Sequence, residues 1–292
     1  MRCFIGLNLI LFVLSSPLVT AKTLFYQPQD SDARVGLPMW SAVMDQAKSH
    51  GFNRMVIQWS QYGSADFGGR DGWLASLVSL AVEKDIQVVF GLYADPDFFR
   101  QVTASDAEVA AYLNAYLVKN LRLMDLVIES PLGKKVGGWY LPAEFDDRYW
   151  ATNYRRALLK DQLSKWDAAV ASRTSLPWSV STFFTGWQSP EGYSGWLGSM
   201  DFHWWVQDGS GTGVLSESQR ALYLEPIAGN NLGVIVEAFE QLPEQASFSA
   251  REKPLQEVAR LEEQYGKMGF NQVGVFSLRY MPFARRALTG AN

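Results

Sequence analysis

Leu232-Gly233-Val234-Ile235-Val236-Glu237 runs without a polar break until it closes on a carboxylate. β-Branched residues with no polar alternation describe a strand buried on both faces, the habit of parallel sheets covered by helices. Seven further short runs share this composition, at residues 23–28, 54–60, 87–93, 136–141, 178–184, 200–206 and 272–278. Helical patterns separate most of them. One spans 39–50 and stops at Gly51; another spans 73–84 with Trp73, Leu77, Leu80 and Ala81 on one face. A long helix to about Ile128 opens with the capping box Ser105-Asp106-Ala107-Glu108. Residues 153–172 are amphipathic, Ser216 caps a short helix, and Ser249 is expected to cap one reaching Met268. Eight strands alternating with helices predict an α/β protein, a single (β/α)8 TIM barrel. The open doubly wound sheet usually carries a glycine-rich turn after its first strand, whereas Gln27-Pro28-Gln29-Asp30 stands here.

The length agrees. Of 292 residues, 1–21 read as a secretory signal peptide, leaving 22–292 for a barrel of the usual size, roughly 250 residues. Met1-Arg2 forms the cationic start, an apolar run extends from Cys3 to Leu14, and Ser15-Ser16-Pro17 closes it. Val19-Thr20-Ala21 then puts small residues at the −3 and −1 positions, so cleavage is expected after Ala21 and the location periplasmic or secreted. The apolar run is short of the roughly 20 residues a span needs, and no stable membrane span is expected after signal cleavage. Cys3 is the only cysteine, so a cleaved chain has no disulfide, thiolate metal site or cysteine nucleophile. With 2 His in all, a His-rich metal site is excluded. A net charge of −4 and no basic stripe argue against nucleic acid. Serine-hydrolase, β-lactamase and zincin motifs are missing. Asp208-Gly209-Ser210-Gly211-Thr212-Gly213 has the wrong glycine spacing for a dinucleotide site and reads as a mobile loop over the barrel mouth. Asp95, Asp97, Asp146 and Asp147 lack the spacing of a dedicated cation loop. No cofactor or metal is expected.

In such barrels the chemistry sits at the C-terminal ends of the strands. That rule selects Gln58, Trp59 and Tyr62 after the second run, Tyr93 and Asp95 after the third, and Trp139, Tyr140 and Glu144 around the fourth. It adds Trp187 after the fifth, His203, Trp205, Gln207 and Asp208 at the sixth, Glu237 and Glu240 at the seventh, and Arg279 after the eighth. Glu144 and Glu237 stand out, because strands four and seven face each other across a barrel mouth. Glycosidic cleavage needs a proton donor and a second carboxylate: a nucleophile at about 5–5.5 Å, or a base for water at roughly 6.5–9.5 Å. The 11 Trp, 12 Tyr and 17 Phe supply rings on which sugar C–H faces can pack. Trp204 and Trp205 point opposite ways in a strand, so only one can face a pocket.

The placement of Glu144 and Glu237 resembles glycoside hydrolase clan A, whose acid/base ends strand four and whose nucleophile ends strand seven. Asp201-Phe202-His203-Trp204-Trp205 resembles that clan's sixth strand. Ala143 stands where the clan usually has Asn, Arg54 begins the second strand where the clan has Arg near its end, and Arg279-Tyr280 replace a strand-eight Trp. Four motifs, Val56–Gly63, Gly91–Pro96, Gly138–Glu144 and Val206–Gly209, resemble the bacterial domain-of-unknown-function family 4434, regarded as glycosidase-like barrels.

The expectation is a glycoside hydrolase acting on a polysaccharide or oligosaccharide, with an exopolysaccharide as one candidate. Glu144 would be acid/base and Glu237 the nucleophile of a retaining mechanism, with Glu240 in reserve. Gln58, His203 and Gln207 would position substrate, and Trp59, Trp139 and Trp205 would be sugar platforms. The alternative is a non-catalytic carbohydrate-binding barrel assisting exopolysaccharide or envelope assembly. A deacetylase or lyase is disfavoured by the shortage of histidines.

Overall fold

A computed structural model describes residues 22–229, 232–242 and 249–289; the expected signal peptide lies outside them. Eight parallel strands close into a barrel: β1 Lys22–Tyr26, β2 Phe52–Ile57, β3 Gln87–Gly91, β4 Val136–Asp146, β5 Trp178–Phe183, β6 His203–Gln207, β7 Gly233–Glu237 and β8 Gln272–Phe276. β1 pairs with both β2 and β8, so the ring has no free edge. Helices α1 Leu37–Ser49, α2 Trp73–Glu83, α3 Asp106–Glu129, α4 Asn153–Ala171, α5 Pro190–Gly198, α6 Glu217–Leu224, α7 Leu255–Met268 and α8 Pro282–Thr289 accompany the strands.

The expected caps at Ser105 and Ser216 form as reciprocal boxes. The one at Ser249 does not. Ala250–Glu252 is a strand antiparallel to Phe239–Gln241, and α7 begins only after Pro254. Arg251 opposite Glu240 makes a cross-strand ion pair there, which competes with helix for the same residues. α5 and α8 were not anticipated; Ser189, followed by Pro190 at the first helical position, is the start signal for α5.

Strand alternation divides the core in two. Outward residues such as Leu24, Ile57, Phe90, Trp139, Val180, Trp204 and Val236 pack with the helices. Inward residues Phe25, Val56, Tyr140, Trp205 and Ile235 fill the barrel. Trp205 is accommodated because β7 and β8 contribute Gly233 and Gly274; a Cβ on Gly233 would lie 2.4 Å from the indole.

Two backbone features bring the ends of β2 and β4 to the mouth. Gly91 passes so close to β2 that a Cβ there would meet the Ile57 carbonyl oxygen at 2.2 Å. In β4 the register slips between Leu141, paired with Val180, and Glu144, paired with Ser181. The two extra residues, Pro142 and Ala143, keep the in–out alternation and lower Glu144 to the level of Ser181. Tyr116 of α3 pins this bulge by donating to the Pro142 carbonyl at 2.6 Å.

Candidate active site

Glu144 points into the C-terminal mouth of the barrel. Gln58 Nε2 donates to its Oε1 at 3.2 Å, and the Gln207 side chain also hydrogen-bonds it. The ends of β2 and β6 therefore converge on one carboxyl group at the end of β4. Burial raises the pKa of Glu144, and the two glutamine bonds partly oppose that rise. Tyr140 lies below, its hydroxyl 2.7 Å from Ser181 Oγ, and its ionisation is suppressed by burial and by Glu144.

A cleft of about 190 Å³ opens beside Glu144. Gln27, Gln58, Trp59, Tyr62, Asp95 and Phe99 line it, with Pro142 at its β4 side. The Trp59 and Tyr62 rings sit 5.0 Å apart, and Trp59 Nε1 donates to the Pro28 carbonyl, which fixes the indole at the rim. Asp95 accepts from Tyr112 at 2.9 Å and keeps a place on the cleft wall. Trp187 stands 60% exposed under the Arg148 guanidinium, outside the lining of this cleft.

Glu237 also has inward parity but is covered, at 3% exposure. The glycine-rich loop folds onto it: Gly211 N–H donates to its Oε2 at 2.6 Å and Thr212 N–H at 3.3 Å. A side chain at position 211 would meet both Glu237 and Phe239, so only glycine lets the loop approach this closely. Burial, then the neighbouring Asp208 carboxylate, raises the Glu237 pKa to about 8. Lys253 reaches under the pair, donating to the Glu237 carbonyl at 2.8 Å and Ser210 Oγ at 2.7 Å.

Several expected binding residues lie elsewhere. Trp139 is fully buried between sheet and helices with its edge on Phe90, so no face is free for a sugar. Trp205 plugs the barrel interior, and the Tyr140 ring shares that interior cluster. His203, Trp205 and Gln207 share one parity along β6, and only the last reaches the mouth; His203 lies at the N-terminal end. Tyr93 turns away from the cleft, its ring under Lys119 Nζ at 3.2 Å. Asp208 is wholly buried, accepting from the N–H groups of Ser210 and Glu237 and from Tyr265 at 2.9 Å, and so acts as a strand-end clasp. Glu240 is tied to Arg251 at the rim. Arg279 is spent on Asp32 and the Gln27 carbonyl, locking the β8 exit to the β1 exit. Asp147 gathers Thr185, Trp187 and Gln188, while Asp97 pairs with Arg100.

The strand-end rule reaches Gln27 but misses Phe98 and Phe99 in the cleft and Lys253 beneath Glu237. Gln27 directly follows β1 and carried a signal of its own; Lys253 follows the small 250–252 strand, where a strand-end rule does not look.

The match to the Domain of unknown function (DUF4434) model runs over residues 22–284. The chain belongs to this family. It is 33% identical over 297 residues to the uncharacterized protein YbcH of Escherichia coli K12, covering 99% of both chains. A putative alpha-L-fucosidase structure from Bacteroides thetaiotaomicron superposes with a TM-score of 0.64 at 15% identity, covering 98% of each chain. A GH113 beta-1,4-mannanase gives 0.55 at 10% identity, covering 92% of this chain and 91% of that one. These solved structures share the (β/α)8 TIM-barrel fold of this chain.

Proposed function

We propose that this family member is an exported glycoside hydrolase, periplasmic or secreted, that cleaves O-glycosidic bonds of a polysaccharide. The reading rests on Glu144, a half-buried carboxyl group held by two amide side chains beside an aromatic-rimmed cleft at the C-terminal end of the barrel. Burial favours its protonated form, as a general acid requires. Glu144 would protonate the leaving oxygen as the C–O bond breaks. Glu237 would attack the anomeric carbon, and water activated by Glu144 would release the sugar with retained configuration. Trp59 and Tyr62 would stack on the sugar, with Asp95 and Gln58 taking hydroxyls. Glu237 enters this chemistry only when ionised and released by the Gly211–Thr212 cap.

One observation favours a second reading, a non-catalytic carbohydrate-binding barrel. Glu237 is enclosed, and its raised pKa leaves it mostly protonated at neutral pH. Wild type, Glu144→Gln and Glu237→Gln assayed on a glycan panel separate the two, reading reducing-end release together with binding. Hydrolysis lost in both variants supports the enzyme. Wild-type binding without turnover supports the binding barrel and removes the enzyme; turnover unaffected by either change removes these residues from the mechanism.

A further inference from the structure

The opposite, N-terminal mouth of the barrel holds a cavity of about 160 Å³, lined by Arg54, Gln87, Trp178, Ser179, His203 and Gln272, among others. Arg54 Nε donates to Gln87 Oε1 and its Nη1 to Gln272 Oε1, each at 2.9 Å. Those two bonds consume the amide oxygens. Gln87 Nε2 is directed at the Gly137 carbonyl, at 3.4 Å. Arg54 Nη2, Gln272 Nε2 and the His203 ring nitrogens have no hydrogen-bond partner among the described residues. Among the described residues no carboxylate lines the cavity and none pairs with the guanidinium there. A partly desolvated cation without an acid is costly, and a guanidinium N–H beside a free amide N–H and an imidazole that can donate from one nitrogen offers an anion three donors.

We propose that this cavity at the floor of the barrel binds a small oxyanion, a single carboxylate or phosphate group, held by Arg54 together with Gln272 and His203. The donor set gives the class: one guanidinium beside one amide and one imidazole matches a single oxyanion, and a cavity of about 160 Å³ has room for a group of that size. The site is separate from the Glu144 cleft and does not depend on the hydrolase reading. His203 reports on it. Its ring packs edge-on against Trp205 at 5.4 Å, and burial followed by Arg54 pushes its pKa down to about 4. The elements around it bring Trp178 and Ser179 from β5, Gly233 from β7 and Gln272 from β8; Arg54 is the charged group that acts on it. An anion bound beside the ring favours the imidazolium and moves the titration up.

The test is a titration of the whole protein with sodium phosphate and, separately, sodium acetate, following the imidazole NMR signals of both histidines. His50, exposed at the C-terminal cap of α1 and outside the cavity lining, is the internal control. The expected result is a saturable shift of His203 but not His50, a His203 titration displaced upward, and a Tm that rises with the bound anion. Arg54→Met is expected to abolish the saturable shift and the Tm increase. Gln272→Leu keeps the guanidinium, is expected to weaken binding severalfold, and is decisive if Arg54→Met fails to fold. Saturation by only one of the two anions supports the site and assigns its ligand. Parallel, non-saturating shifts of both histidines with either anion, or variants that bind as wild type does, overturn the proposal.

Discussion

Glu144 and Glu237 differ in what touches their oxygens. Amide side chains from β2 and β6 hold Glu144, and backbone N–H groups of one loop hold Glu237. Donors to a carboxylate stabilise its charged form, so removing one raises the pKa. Gln207→Leu is therefore expected to raise the Glu144 pKa further. In a pH profile of kcat/KM, the limb on which the acid loses its proton should move to higher pH; an unmoved limb would mean that Gln207 does not act on the acid. Both carboxylates and both glutamines were legible in the sequence, because strand ends can be counted from apolar runs. The depth of the aromatics was not. Trp139, Trp205 and Gln207 all stand near strand ends, yet parity sends Trp139 outward and one inward step separates plug from mouth.

At the scale of elements, the strand pattern was readable because strands buried on both faces have an unmistakable composition. The β4 bulge was not, since Pro142-Ala143 carries no sign that two residues will oppose none on β5. The hairpin at 250–252 displaced a cap that local sequence favours, and only the pairing with 239–241 explains why. The Gly233–Trp205 contact is likewise a long-range fact. Gly233→Ala would drive a methyl group into the indole that fills the barrel. Overpacking of this kind costs about 1–3 kcal/mol, so a clearly lower Tm is expected. An unchanged melting curve would show that the Trp205 plug has room to shift.

For the molecule as a whole, buried acids set the pH dependence of stability. Glu237 binds its proton more tightly folded, at about 8, than at the ordinary value of 4.5. Its contribution is thus fully present below about 4.5 and is lost as pH rises through about 8. Glu144, Asp146 and Asp208 are raised in the same sense, and His203, lowered to about 4, acts oppositely on the acid side. Comparing Glu237→Gln with wild type removes the Glu237 proton together with its interaction with Asp208. The variant's Tm is expected to fall less steeply across that interval, and parallel curves would contradict the assignment of the proton to Glu237.

The role of Glu144 as proton donor is tested most directly by leaving-group dependence. Wild type and Glu144→Gln would be compared on an unactivated oligosaccharide and on the matching aryl glycoside, whose acidic phenol departs without protonation. Positioned acid catalysis contributes about 10²–10⁴-fold, so a loss of that order in kcat/KM is expected on the oligosaccharide, with a much smaller loss on the aryl glycoside. Equal losses on the two substrates, or no loss on either, would contradict it.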